Sequence, residues 1–161
     1  MDWLFLIPAG YQLVALVACI RRLFQTCPQP EAMPPISILK PVRGADPLFY
    51  SAICSHAMQD YPHFELLLAV SDRNDPAVPL IEQAIAEFPD RRIRLIERQT
   101  VTPNPKVGAL IDMEKEALCE VLLVNDGDIR VPQGYLKTLA AELERPGVGL
   151  VTALYRARAE H

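Results

Sequence analysis

The sequence predicts an α/β protein built on a mostly parallel sheet that helices cover on both faces. From Ile36 onward, short and nearly continuous apolar runs alternate with segments of helical periodicity. Such runs are typical of strands buried on both faces, and their alternation with helices is typical of parallel sheets. The chain has 161 residues, 50% of them hydrophobic, which is enough for one domain with a substantial core.

The individual elements follow from the spacing of the apolar residues. The predicted strands are 36–40, 64–70, 92–97, 120–124 and 148–154. The predicted helices between them are 47–59, 79–88, 106–118 and 133–144. Residues 92–97 alternate apolar and charged side chains, which places this strand near a sheet edge. His56 lies on the apolar stripe of the first helix, so we expect a half-buried packing residue.

The first 24 residues are expected to anchor the chain in a membrane. Residues 3–20 carry no charge and Arg21 and Arg22 follow at once. As a helix they would span ~27 Å, close to the ~30 Å hydrocarbon core. The arginine pair predicts a single pass with the following region in the cytoplasm. A secretory signal, or a lipoprotein cleavage box at 16–19, is less favoured because no basic residue precedes the apolar run.

Residues 25–35 are predicted to form a linker, because prolines at 28, 30, 34 and 35 favour a semi-rigid extended chain. The expected organisation is therefore an anchor at 1–24, a linker at 25–35 and an α/β region at 36–161. The formal net charge of −4 argues against nucleic acid as a partner. The cysteines share no metal-ligand spacing, as expected for a reduced, cytosolic region.

Charged residues stand at the ends of several predicted strands. Lys40 ends the first, Asp72 follows the second, and Asn125 and Asp126 follow the fourth. Ligands of open parallel sheets bind beyond the carboxyl ends of the strands. We therefore expect these side chains, together with Asp128, to converge on one crevice.

The segment "NDGD", residues 125–128, allows three interpretations. Asp-Gly between apolar residues is typical of a hairpin turn. An apolar strand ending in D-x-D also presents the nucleophile of haloacid dehalogenase-type phosphatases, which would be Asp126. The third interpretation is a metal–diphosphate site, in which one or two carboxylates and phosphate oxygens share a hard divalent cation. Gly127 would then allow a close approach of the ligand.

Ordered blocks of sequence resemble ceramide glucosyltransferases and their bacterial hopanoid-associated relatives. The blocks are "ISILKPVRGADP" (36–47), "QDYPHFELLLAVSDRNDPA" (59–77), "NPK" (104–106), "NDGDIRV" (125–131) and "GVGLV" (147–151). The resemblance implies an inverting, membrane-bound glycosyltransferase of the GT-A fold, which transfers a hexose from a UDP-sugar to a lipid hydroxyl. It also implies a Mg²⁺ or Mn²⁺ cofactor and a ceramide- or hopanoid-type acceptor.

The resemblance assigns roles to particular residues. Asp75 matches an essential aspartate expected near the uridine, and Asp72 ends the same strand, so either acid is a candidate nucleobase contact. The other acid would cap the helix that begins near Pro76. Asp126 matches a second essential aspartate and, with Asp128, would bind the metal. Lys106 matches a lysine that would pair with phosphate or lie solvated on the surface.

The family pattern continues with an acidic motif for the catalytic base and a Q/R-x-x-R-W motif, which residues 1–161 do not contain. On the resemblance, no catalytic base lies in this chain, which is a truncated, donor-binding half with little activity alone. We also expect a second polypeptide that carries the missing half as a partner. Two alternatives stay open: a non-catalytic module that binds UDP and metal or acts as a scaffold, and the phosphatase.

Overall fold

The computed structural model describes residues 6–23 and 29–155. The strands are β1 Ile36–Pro41, β2 Phe64–Val70, β3 Arg92–Glu97 and β4 Val121–Val124. The helices are α1 Leu6–Leu23, α2 Phe49–Ala57, α3 Val78–Glu87, α4 Pro105–Glu116 and α5 Tyr135–Leu143. The strands form a parallel sheet of order β3-β2-β1-β4. The predicted parallel α/β architecture is therefore confirmed, with β3 at an edge as predicted.

Helices cover both faces of this sheet. Residues of α2, α3 and α5, among them Ile53, Ile81 and Leu136, pack with alternate residues of β1 and β2. On the other face, Ala109 and Met113 of α4 pack on Leu39, Leu67 and Ala69. Because β1 and β2 are buried on both faces, neither alternates apolar and polar residues along its length, and the polar side chains that they do contain, Ser37, Lys40 and Glu65, are buried as well.

The strand order reverses between β1 and β4. The chain moves outward from β1 through β2 to β3 and then returns through α4 to pair β4 with the free side of β1. A crevice opens at such a switch point, where the loops beyond the two strands diverge. Register places Leu39 beside Val124, so Lys40 and Asn125 follow at the carboxyl ends of these two neighbouring strands.

The predicted strand at 148–154 is wrong. These residues adopt neither helix nor strand, and no described strand pairs with them. Leu150 and Leu154 are 83% and 97% exposed. An apolar run becomes a strand only where a neighbouring backbone satisfies its hydrogen-bonding groups, and this segment has no such neighbour among the described strands.

The predicted membrane-spanning helix over 3–20 is not supported. Residues 3–5 lie outside the described part of the chain, and α1 begins at Leu6. None of the described helices is sufficiently long and apolar to cross a membrane.

The second half of the predicted linker contacts the α/β region. Residues 29–35 adopt neither helix nor strand, whereas residues 25–28 lie outside the described residues. The Glu144 carboxylate accepts hydrogen bonds from the backbone N–H groups of Glu31, at 2.9 Å, and Ala32. The Tyr61 hydroxyl donates to the Pro34 carbonyl at 2.8 Å. The boundaries of anchor, linker and α/β region stay predictions.

Helix α4 is fixed firmly beside the end of β3. Asn104 caps its first turn by accepting a hydrogen bond from the N–H of Lys106 at 3.0 Å. Further along, the Asp112 carboxylate accepts hydrogen bonds from the Thr100 hydroxyl and from the N–H groups of Thr100 and Gln99. Together these hydrogen bonds hold the pKa of Asp112 well below its usual range, and the bond from the Thr100 hydroxyl has the largest effect.

The contact between α4 and the segment after β3 requires a glycine. A Cβ on Gly108 would lie 2.5 Å from the Thr100 carbonyl oxygen. We therefore expect Gly108→Ala to lower the free energy of unfolding by about 1–3 kcal/mol, because backbone must move to admit the methyl group. Urea denaturation of the variant measures this change.

Gly149→Ala is the matched control, since nothing lies within 4 Å of the position of its Cβ. Its stability should stay within about 0.5 kcal/mol of the unchanged protein. Equal stabilities for the two variants would contradict the close packing of α4.

Candidate functional site

The turn 125–131 follows β4 directly and carries both acids of the D-x-D motif. No strand returns from it, and the next described element is α5, which begins at Tyr135. The hairpin interpretation is therefore wrong. The turn presents the exposed side chains of Asp126 and Asp128 at the carboxyl end of the sheet.

A buried lysine lies beneath this turn. Lys40 is 0% exposed, and its ammonium group donates hydrogen bonds to the carbonyl oxygens of Asp126, at 2.7 Å, and Ile129, at 3.4 Å. Burial lowers the pKa of Lys40 to about 8, although the carboxylates of Asp128 and Asp126 oppose the shift. A positive charge thus supports the acidic turn from the interior.

Asn125 connects the turn to α2 and α5. Its side-chain amide donates to Nε2 of His56 at 3.0 Å, and Nδ1 of the same ring donates to the Ala52 carbonyl at 2.9 Å. The Tyr135 hydroxyl donates to the Asn125 side-chain oxygen at 3.4 Å. Burial and, secondarily, the charge of Lys40 lower the pKa of His56 to about 3. His56 is therefore a neutral, fully buried hydrogen-bonding residue rather than the half-buried packing residue that we predicted.

Lys106 forms an ion pair with the carboxylate of Asp126. The lysine lies in the first turn of α4, and both side chains are 49% exposed. The predicted donor-site residues Lys106 and Asp126 are thus in direct contact, although they are distant in sequence. Asp126 is consequently flanked by two lysines, one at its backbone carbonyl and the other at its carboxylate.

The predicted uridine-site acid Asp75 fixes a loop. Both of its carboxylate oxygens accept a hydrogen bond from the N–H of Gly44, at 3.1 and 3.0 Å, and one also accepts from the N–H of Ala77 at 2.9 Å. Gly44 has φ of +72°, a conformation that favours glycine. Helix α3 begins at Val78, and its N-cap, Ala77, has no side-chain cap bond. Asp75 therefore connects the loops after β1 and β2 and does not cap α3.

Asp72 lies in the same loop but is exposed. One of its carboxylate oxygens accepts hydrogen bonds from the backbone and side-chain N–H groups of Asn74, at 2.8 and 2.9 Å. Its backbone carbonyl accepts from the N–H of Asp75 at 3.0 Å. Asp72 therefore keeps a carboxylate oxygen accessible on the surface, whereas the Asp75 oxygens are engaged with backbone.

Gly127 places the acidic turn against the end of β1, the start of the loop that follows it and the first residue of α2. A Cβ there would lie 3.6 Å from the Pro41 carbonyl oxygen and 3.8 Å from side-chain atoms of Val42 and Phe49, which are ordinary van der Waals distances. The loop that Gly127 contacts continues to Gly44, which Asp75 holds. The structure thus joins the aspartates of the two predicted motifs through the loop after β1.

The donor set of the turn suits a shared divalent cation. Among residues 6–23 and 29–155, no group of three or more His, Cys, Asp and Glu side chains is arranged to hold a metal ion. The turn offers two exposed carboxylates, Asp126 and Asp128. Mg²⁺ and similar hard cations are commonly held by one or two carboxylates together with substrate phosphates. The two exposed carboxylates of the turn therefore fit a divalent cation that has further ligands from outside this turn.

Sequence reasoning found the exposed acids and missed the buried support beneath them. Lys40 was expected at a strand end, but its hydrogen bonds to the turn were not foreseen. The sequence does contain an indication of these hydrogen bonds, because a lysine at the end of a strand that is buried on both faces needs partners for its ammonium group. Asn125 and Tyr135 gave no comparable signal because their sequence neighbours do not indicate their contacts.

The model of glycosyl transferase family 21 matches residues 2–161 of the sequence. The chain belongs to this glycosyltransferase family. This membership confirms the resemblance given above and leaves the phosphatase interpretation without support.

Curated relatives agree with the family assignment. The ceramide glucosyltransferase of Gibberella zeae is 31% identical over 134 residues, which cover 76% of this chain and 25% of the relative. The enzyme of the same name from Komagataella phaffii is 29% identical over 126 residues, covering 75% and 25%. The chain thus spans about a quarter of the length of these relatives.

Solved structures share the fold. A mannosyltransferase from Pyrobaculum calidifontis, in complex with GDP-Man and Mn²⁺, superposes with a TM-score of 0.72 at 25% identity. The match covers 91% of this chain and 44% of that one. Staphylococcus aureus TarS 1–349, in complex with UDP-GlcNAc, superposes with a TM-score of 0.51 at 21% identity. This match covers 68% of this chain and 31% of that one, and it shows a likeness of fold alone.

The neutral state of His56 predicts a loss of stability in acid. Because burial and Lys40 lower its pKa to about 3, the unfolded chain binds a proton at this residue below about pH 6.5 and the folded chain does not. Stability that is present above pH 6.5 is therefore lost as the pH falls towards 3. Between pH 7.5 and pH 5 the free energy of unfolding of the unchanged protein should fall by about 2 kcal/mol more than that of His56→Gln.

Urea denaturation of the unchanged protein and of His56→Gln at the two pH values measures this difference in stability loss. The value of each protein at pH 7.5 serves as its own reference. Parallel losses in the two proteins would show that His56 titrates normally when folded.

Proposed function

We propose that this chain forms the donor-binding part of a glycosyltransferase that transfers a hexose from a UDP-sugar to a lipid hydroxyl with inversion. The observation that carries the proposal is the turn 125–131 at the switch point of the sheet, where Asp126 and Asp128 are exposed above a buried lysine. Family membership supports the reaction class, and the ceramide glucosyltransferase relatives support a lipid acceptor.

In this proposal the chain binds and orients the donor diphosphate. Asp126 and Asp128 would hold Mg²⁺ or Mn²⁺, which when bound stabilises the negative charge that develops on the departing diphosphate. Lys40 keeps the turn in place from beneath, and the first turn of α4 supplies Lys106 as a cation for phosphate oxygens. The structural neighbour with GDP-Man and Mn²⁺ supports a nucleotide-sugar and metal site.

The nucleobase contact is proposed to be Asp72. The Asp75 oxygens accept backbone N–H groups of Gly44 and Ala77, whereas Asp72 has exposed acceptor capacity and could accept the N–H of a uracil ring. Asp75 would then shape the nucleotide pocket indirectly, through the loop after β1.

The acceptor side of the reaction is proposed from the relatives alone. A lipid hydroxyl would attack the anomeric carbon as the bond to the UDP oxygen breaks, and the hydroxyl proton would pass to a carboxylate base. A ceramide-type or hopanoid-type acceptor and a second polypeptide stay predictions. A non-catalytic module would be favoured by UDP binding without transfer by the complete protein.

Asp126→Asn tests the donor site. Asparagine keeps the shape of the side chain but removes the charge, so affinity for UDP in the presence of Mn²⁺ should fall at least about tenfold. Isothermal titration calorimetry with and without Mn²⁺ measures the loss.

Asp90→Asn is the control for this substitution, because Asp90 is exposed at the opposite end of the sheet, before β3. It should bind UDP as the unchanged protein does. Metal-dependent UDP binding that survives in Asp126→Asn would refute the proposed site.

Gly127→Ala tests whether the ligand approaches the turn closely. The methyl group would make only ordinary contacts within the protein, and the φ of Gly127 is not positive. Stability should therefore change by no more than about 1 kcal/mol, while Mn²⁺-dependent UDP affinity falls severalfold. Thermal melting and calorimetry separate the two effects, and unchanged affinity would show that the diphosphate does not approach Gly127.

A further inference from the structure

Two lysines contact Asp126 in different ways. Lys40 is completely buried and donates to the backbone carbonyl of Asp126. Lys106 is 49% exposed and pairs with the carboxylate itself. Only the second contact uses the oxygens that a divalent cation would need.

An exposed lysine–aspartate pair is weak, since such pairs contribute about 0–1 kcal/mol. Nevertheless, one carboxylate oxygen of Asp126 is engaged by an ammonium group, and a metal ion on this carboxylate would lie close to a like charge. Lys106 and a divalent cation therefore compete for Asp126.

The backbone of Lys106 is fixed in α4, whereas the ammonium group at the end of its side chain is not. Asn104 caps α4 at the N–H of Lys106, and Asp112 and Gly108 hold the helix against the segment after β3. The side chain has a flexible four-carbon stem and a half-exposed ammonium group. It can change partner without any movement of the backbone.

We propose that Lys106 is the exchangeable counter-ion of Asp126. It neutralises the carboxylate in the absence of donor and transfers to the donor diphosphate when Asp126 becomes a metal ligand. The inference rests on the proposed function, because it requires the metal–diphosphate site. It adds that Lys106 opposes metal binding and favours nucleotide binding, so that the metal binds well only together with the nucleotide.

Lys106→Met separates the two roles, because it keeps most of the stem and removes the charge. Binding of Mn²⁺ alone to the full chain, followed by the electron paramagnetic resonance signal of free Mn²⁺, should become about two- to fivefold tighter. Binding of UDP at saturating Mn²⁺, measured by calorimetry, should become about tenfold weaker. A residue that merely supported the fold would weaken both.

Two variants serve as controls. Lys115→Met removes a lysine from the other end of α4, where it pairs with Asp112 at 3.5 Å, and should leave both affinities unchanged. Lys106→Arg keeps the positive charge and should keep Mn²⁺ affinity near that of the unchanged protein.

The outcomes distinguish the exchange from the proposed function. If the unchanged protein binds Mn²⁺ and UDP but Lys106→Met binds Mn²⁺ alone with equal or lower affinity, the exchange is refuted and the donor site stands. If the unchanged protein binds neither ligand, both proposals fail.

Discussion

The hydrogen bond from the buried ammonium group of Lys40 to the carbonyl of Asp126 is the interaction on which the site depends. It joins the end of β1 to the turn beyond β4, across the switch point of the sheet. Desolvation of a lysine is costly, and the low pKa of about 8 reflects that cost. Two carbonyl oxygens and two nearby carboxylates offset it. The same charge reduces the repulsion between Asp126 and Asp128, which would otherwise oppose placing two acids in one turn.

Other buried and half-buried polar groups fix the loops around this interaction. His56 and Tyr135 hold Asn125, the residue at which the turn begins, and Asp75 holds Gly44 in the loop after β1. The groups that would meet a ligand, Asp128 and Asp72 among them, are instead exposed. Binding sites require rigid support beneath accessible side chains, because the supporting contacts set the geometry. The exposed side chains stay hydrated until a ligand binds.

The sequence predicted elements whose signals are local and missed contacts that depend on tertiary structure. β2 and β3 have their predicted bounds, because continuous or alternating apolar runs report burial directly. The strand predicted at 148–154 failed because an apolar run does not reveal whether a neighbour will pair with it. The predicted membrane span is not supported, because none of the described helices is long and apolar enough to cross a membrane. The Lys106–Asp126 pair and the role of Asp75 as a loop clamp are long-range contacts that no spacing indicates.

Charge balance explains how one site can be stable both with and without a donor. The charges of Lys40 and Lys106 balance those of Asp126 and Asp128, and Arg130 adds a further positive charge to the same turn. A nucleotide-sugar diphosphate has two negative charges and a divalent cation two positive ones, so their joint arrival leaves the sum unchanged. Either ligand alone would change the charge of the site by about two units, which is unfavourable where like charges lie close together. The proposed site would therefore favour the metal and the diphosphate as a pair, and the one rearrangement that the proposal requires is that Lys106 changes its partner.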